Sequence, residues 1–314
     1  MGFESGTRLA AAGARVVVTA RTQAKADRAA AAISAANPGG SAVGVLLNMA
    51  SLESVRTFPE RLSAAIGADS AIDVLINNAQ GDSPFNSEQQ RTPDGFDQTV
   101  GIGHLAHFAL VAALVPYLRR ARDGFRVISV SNDVHRTVLY GTFYAALESD
   151  LRVRDEVQFE RFRISKVANV LFTAELARRI RESTGLLHGG SAVVVGMHDP
   201  RLDLTVPLAP SANAIVWLAA AADTDGNRAR SEHLYYNGLT RSVAAPSAVA
   251  TDERLARKAS DPPTASHDPH ATRGPQPASW LCSQPLSLRL PNSQPAASLL
   301  RPPASLHRAV RRAI

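Results

Sequence analysis

The chain has 314 residues, 45% of them hydrophobic, which is enough apolar material for a sizeable buried core. Its net charge is +6, but residues 262–314 hold six arginines against the single acid Asp268, so the first 261 residues are near neutral and no nucleic-acid-binding face is expected. One cysteine, Cys282, excludes an internal disulfide and a cysteine-based metal cluster, and no run of eighteen apolar residues points to a membrane span, so a soluble cytoplasmic chain is expected. Residues 1–12 read as a helix stopped by Gly13, and the β-branched run 14–20 reads as a buried strand ending at Arg21. A helix over 24–36 closes at Asn37-Pro38-Gly39-Gly40, followed by a strand over 41–47, a helix over 52–66 and a strand over 72–76. An apolar helix covers 104–118 and a strand 125–130. Residues 162–180 carry the stripe Ile164, Val167, Val170, Leu171, Ala174, Ile180 of a long core-facing helix. A further strand covers 191–196. Strands alternating with helices indicate an α/β fold with a doubly wound parallel sheet. From 262 onward ten of the nineteen prolines and no lysine appear, a composition expected of a disordered C-terminal tail.

Four segments carry a family resemblance: Asp73-Val-Leu-Ile-Asn77-Asn78-Ala79-Gln80-Gly81, Val100-Gly-Ile-Gly103-His104-Leu-Ala-His107-Phe108, Val130-Ser131-Asn132-Asp133-Val-His135 and Phe162-Arg-Ile-Ser165-Lys166-Val-Ala168-Asn169. In this order they resemble the short-chain dehydrogenase/reductase family, in its branch of retinol-dehydrogenase-like and protochlorophyllide-reductase-like enzymes. The resemblance covers about residues 2 to 260 and implies a Rossmann-type sheet over 1–261, with its last helix at 212–220, its last strand at 234–238 and a terminal helix at 252–257. The chain begins inside the family's first helix. The first strand and most of the glycine-rich turn are therefore expected to be missing, with Gly2 matching the last glycine of that turn.

The resemblance also implies a cofactor, NADP or NAD. Arg21 after the strand suits a 2′-phosphate, which favours NADP; Asn48 stands where an aspartate meets the adenine, and Asn77, Asn78 and Ala79 flank the ribose. Lys166 is the retained catalytic lysine, implied to hold the nicotinamide ribose. The other catalytic positions are replaced. Phe162 stands for the tyrosine acid, Asn132 for the serine and Gly103 for the asparagine, while Gln80 takes a glycine position. His104 and His107 read as packing groups, with no metal site expected. The function implied is NADP-linked oxidation or reduction of a small apolar alcohol or carbonyl, strongly impaired in this chain. Two alternatives stand beside it: a non-catalytic scaffold, homodimeric through helices 104–118 and 162–180, and a degenerate gene product.

Overall fold

The computed structural model describes residues 1–37, 39–81, 91–148, 158–182, 190–197, 208–220, 235–237, 243–244, 246–247 and 249–259. The expected tail, 262–314, lies outside the described residues. In chain order the first elements are α1 (Gly2–Ala11), β1 (Arg15–Ala20), α2 (Gln23–Ala36), β2 (Ser41–Leu46), α3 (Leu52–Arg56), α4 (Phe58–Ile66) and β3 (Val74–Asn77). There follow α5 (Gln98–Val100), a wide turn of helix at Gly101–Leu105, α6 (Ala106–Leu118), β4 (Arg126–Asn132) and a tight 3₁₀ segment at Asp133–Thr137. The last are α7 (Tyr140–Glu148), α8 (Gln158–Glu182), β5 (Ser191–Met197), α9 (Leu208–Ala220), β6 (Tyr235–Asn237), β7 (Val243–Ala244) and α10 (Glu253–Ala259).

Three differences from the sequence reading have local causes. The expected helix over 52–66 breaks at Thr57, because Pro59 in the first turn of α4 has no N–H to continue the ladder. β4 runs on through Asn132, so Ser131 and Asn132 lie on the strand itself rather than after it. The stretch carrying Tyr140 and Tyr144, to which the sequence reading gives no element, is the helix α7; their side chains lie outside the described residues.

The strands form two sheets. β1 and β2 pair in parallel, Arg15 opposite Ser41 through Ala20 opposite Leu46. The second sheet has the order β3-β4-β5-β6-β7, parallel except for the last pair. Among the described residues no strand pairs with both sheets.

One core nevertheless serves both sheets. Val45 and Leu47 from the β2 side and Val127 and Ala192 from β4 and β5 share a cluster with Leu114 of α6, Ile164 and Leu171 of α8 and Leu255 of α10. The alternate residues Ile128, Val130, Val193 and Val195 face the other way, onto Ala214, Ile215 and Leu218 of α9. Period-two alternation thus puts helices on both faces of the second sheet, the doubly wound arrangement. Gly44 lets α2 lie against β2, since a Cβ there would come 2.4 Å from the Ala26 carbonyl carbon.

Candidate functional site

The site gathers where the carboxyl ends of β3 and β4 meet α8. Phe162, 1% exposed, and Lys166, 5% exposed, sit one turn apart on the buried side of α8. The Lys166 ammonium lies 5.1 Å from the centre of the Phe162 ring. It also donates to Gln80 Oε1 at 2.6 Å. A cation over an aromatic face is attracted by the ring quadrupole, so ring and amide together hold the lysine head.

A polar seam locks α8 to β4 around this pair. Ser131 Oγ donates to the Lys166 carbonyl at 2.9 Å, and Thr173 Oγ1 donates to Ser129 Oγ at 2.8 Å. Asn169 donates through Nδ2 to Gly103 O at 2.9 Å and to Val130 O at 3.4 Å. Its Oδ1 lies 3.0 Å from His104 Nδ1, and because a carboxamide oxygen only accepts, that ring nitrogen carries the proton. Burial pushes the His104 imidazolium down to a pKa of about 4, opposed by Asn169. His107 is pushed down to about 3, first by burial and then by the charges of Lys166 and His104. Both rings are neutral packing groups. Among the described residues no cluster of His, Cys, Asp or Glu is arranged to hold a metal.

Gly103 sits in the wide turn Gly101–Leu105, which swells the helix beside Lys166. The carboxylate of Asp97, which caps α5 by accepting from the N–H groups of Thr99 and Val100, forms a buried ion pair at 3.0 Å with Arg161 of α8. Gln98–Leu118 is long and apolar enough to cross a membrane by composition, yet 78% of that stretch is buried inside the fold.

Asn132, 5% exposed, spends its Oδ1 on the Val134 N–H at 2.9 Å, capping the 3₁₀ segment and leaving its Nδ2 as donor. His135, fully buried, meets the Asn132 carbonyl through Nδ1 and the Ser247 N–H through Nε2, a pairing that requires the neutral ring. Burial lowers its pKa, consistent with that state.

At the end of β3, Asn77 is 2% exposed, and neither atom of its carboxamide has a hydrogen-bond partner among the described residues; nor does Asn78 Oδ1. A Cβ on Gly2 would come 3.0 Å from Asn78 Nδ2, so the start of α1 closes on this end of the sheet. Arg21 is exposed directly after β1, and Asn48 accepts from the Ala50 N–H at 3.1 Å. Ala79 continues from Asn78 and packs against the main core.

The structure therefore brings Phe162, Lys166 and Gly103 together, with Asn132 at the end of the strand beneath α8, and brings Gly2 to Asn78. Of Met197-His198-Asp199-Pro200, which the family resemblance implies is the loop touching the nicotinamide amide, residues 198–200 lie outside the described residues. Sequence reasoning gives no role to Gln80 or Asn169. The available signal for Gln80 is its pairing with Gly103: one position gains an amide where the other lacks one.

The sequence profile of the short chain dehydrogenases matches residues 1–147. Human retinol dehydrogenase 14 is 31% identical over 288 residues, covering 82% of this chain and 80% of that protein. The zebrafish WW domain-containing oxidoreductase is 29% identical, covering 84% of this chain and 67% of that protein. Among solved structures, an uncharacterised protein of Mycobacterium paratuberculosis superposes with a TM-score of 0.62 at 26% identity, covering 83% of this chain and 87% of its own. A metagenomic short-chain oxidoreductase solved with NADP gives 0.51 at 22% identity, covering 71% and 87%, a likeness of fold. These likenesses agree with the doubly wound sheet, and the chain belongs to the short-chain dehydrogenase/reductase family, on its retinol-dehydrogenase-like side.

Proposed function

We propose that this oxidoreductase by ancestry is NADP-linked, takes a small apolar alcohol or carbonyl, and transfers hydride only feebly. The observation that carries the reading is Phe162, buried on α8 with the Lys166 ammonium over its ring. A phenyl ring has no proton to exchange with a substrate oxygen, and loss of a positioned acid or base costs about 10²–10⁴-fold in rate. Ser131 does not replace it, because its hydroxyl donates to the Lys166 carbonyl and is buried. Asn132 Nδ2 is the nearby donor suited to polarising a carbonyl without protonating it.

The residues at the end of β3 fit a dinucleotide. The buried, partnerless amide of Asn77 and the Asn78 oxygen stand at the carboxyl end of β3, and ligands of parallel α/β sheets bind at the carboxyl ends of the strands. Arg21 suits a 2′-phosphate, with Asn48 at the adenine, Gly2 at the remnant of the phosphate turn, Asn78 and Ala79 along the ribose and Lys166 at the nicotinamide end. When bound, NADP supplies or accepts the hydride. The chain's own residues orient the partners and, through buried Phe162, keep water out.

The test is NADPH oxidation by the purified chain with a retinal-like aldehyde, beside Phe162→Tyr. A rate near that of buffer, raised about 10²-fold or more by the tyrosine, is expected. Equal rates in both would sink the reading. The same sequestered lysine favours a second reading, a scaffold acting by binding and homodimeric through α6 and α8; it expects partner capture to survive Lys166→Ala. Cytoplasmic residence belongs to either reading and is checked by fractionation.

A further inference from the structure

Gly103 and Gln80 contend for one volume. A Cβ built on Gly103 falls 2.8 Å from both polar atoms of the Gln80 carboxamide and 3.1 Å from its Cδ. Bonded neighbours apart, β-carbons do not come that close to other heavy atoms, so a side chain at 103 and this placement of the Gln80 amide exclude one another. From that position Gln80 Oε1 accepts from Lys166 Nζ at 2.6 Å, while its Nε2 reaches the Thr99 carbonyl at 3.4 Å. Asn169, one turn beyond Lys166 on α8, holds the Gly103 carbonyl at 2.9 Å and so fixes how near the wide turn comes to the lysine.

We propose that Gln80 is a positioning residue for Lys166, and that the bare α-carbon of Gly103 is what admits it. Residues 80 and 103 form an exchanged pair. The carboxamide is delivered from the end of β3 or from the wide turn, and not from both. The carboxamide offers the Lys166 Nζ a neutral acceptor beside the Phe162 ring, so ring and amide fix the head without a second charge in the site. The catalytic meaning of this placement rests on the function proposed above; the placement itself does not.

The chain has three lysines, Lys25, Lys166 and Lys258, so isotope-labelled lysine gives three ε-methylene signals, with Lys166 assigned by Lys166→Arg. In the full chain the Lys166 signal is expected upfield of exposed Lys25, displaced by the aromatic ring. Gln80→Gly and the similarly sized Gln80→Leu are expected to reduce the displacement by half or more, and Gln80→Gly with Gly103→Asn to restore it. A displacement reduced by less than half in Gln80→Leu, or a double variant no different from Gln80→Gly, overturns the proposal. Urea unfolding of each variant separates loss of position from loss of fold. Because the signal needs no turnover, a chain inert toward NADPH and aldehyde would defeat the functional reading and leave this one standing.

Discussion

Asn169 and Asn77 are both buried carboxamides, 1% and 2% exposed, and the fold treats them in opposite ways. Asn169 is bonded through both atoms, to His104 and to the carbonyls of Gly103 and Val130. Asn77 makes no hydrogen bond through either among the described residues. A buried amide left without partners costs roughly 1–3 kcal/mol. The seam between β4 and α8 is therefore closed upon itself and stabilises the fold. The end of β3 holds polar atoms at a cost, as the proposed contact of Asn77 with a dinucleotide expects.

The sharpest break of this contrast is on the closed side. Asp97→Ala removes the carboxylate beside Arg161, both less than 5% exposed, together with the cap of α5. Urea unfolding is expected to show a loss of about 3–5 kcal/mol, the usual cost of breaking a buried pair from one end. Acid comes next. Free histidine takes its proton near 6.5, whereas His104 in the fold takes it only near 4. Between those values the unfolded chain binds the proton and the folded chain does not, so this part of the stability is full above about 6.5 and declines as pH falls toward 4. The amount is on the order of 3 kcal/mol, and His104→Gln, which keeps a donor for Asn169, should make the pH profile of the urea midpoint shallower, with His107 and His135 carrying the remaining slope. Asn169→Leu should cost about 2 kcal/mol by the same assay, because it strands His104 and the Gly103 carbonyl. Asn77→Leu should change stability by less than about 1 kcal/mol, or raise it, while weakening NADP binding in a fluorescence titration. Equal losses for the two asparagine variants would erase the contrast.

The parts legible in the sequence are those written in periodicity. The α8 stripe and the β-branched runs of β1, β4 and β5 place each element within a few residues, because burial on one face or both leaves a pattern of fixed period. Phe162, Lys166, Gly103 and Asn132 were locatable through the resemblance, and the structure sets the first three side by side. What stayed hidden depends on distance rather than order. Gln80 and Lys166 are 86 positions apart, and nothing local to either announces the bond between them. The break at Thr57 was foreshadowed by Pro59, but an amphipathic pattern continuing through it favoured one helix. α7 escaped because its alternation of tyrosine, phenylalanine and small residues fits no strong period.

His135 carries a consequence for how the chain assembles. Its ring ties the end of β4 to the Ser247 N–H, a partner 112 positions later. Closing so long a loop is entropically expensive and must follow the placement of the strands that frame it. On a ribosome, β4 emerges well before the segment that seals it. The nascent chain should therefore pass through a stage in which β4 and α8 are docked while α10 is still unlatched, with the core surface later covered by Leu255 and Ala256 open to solvent.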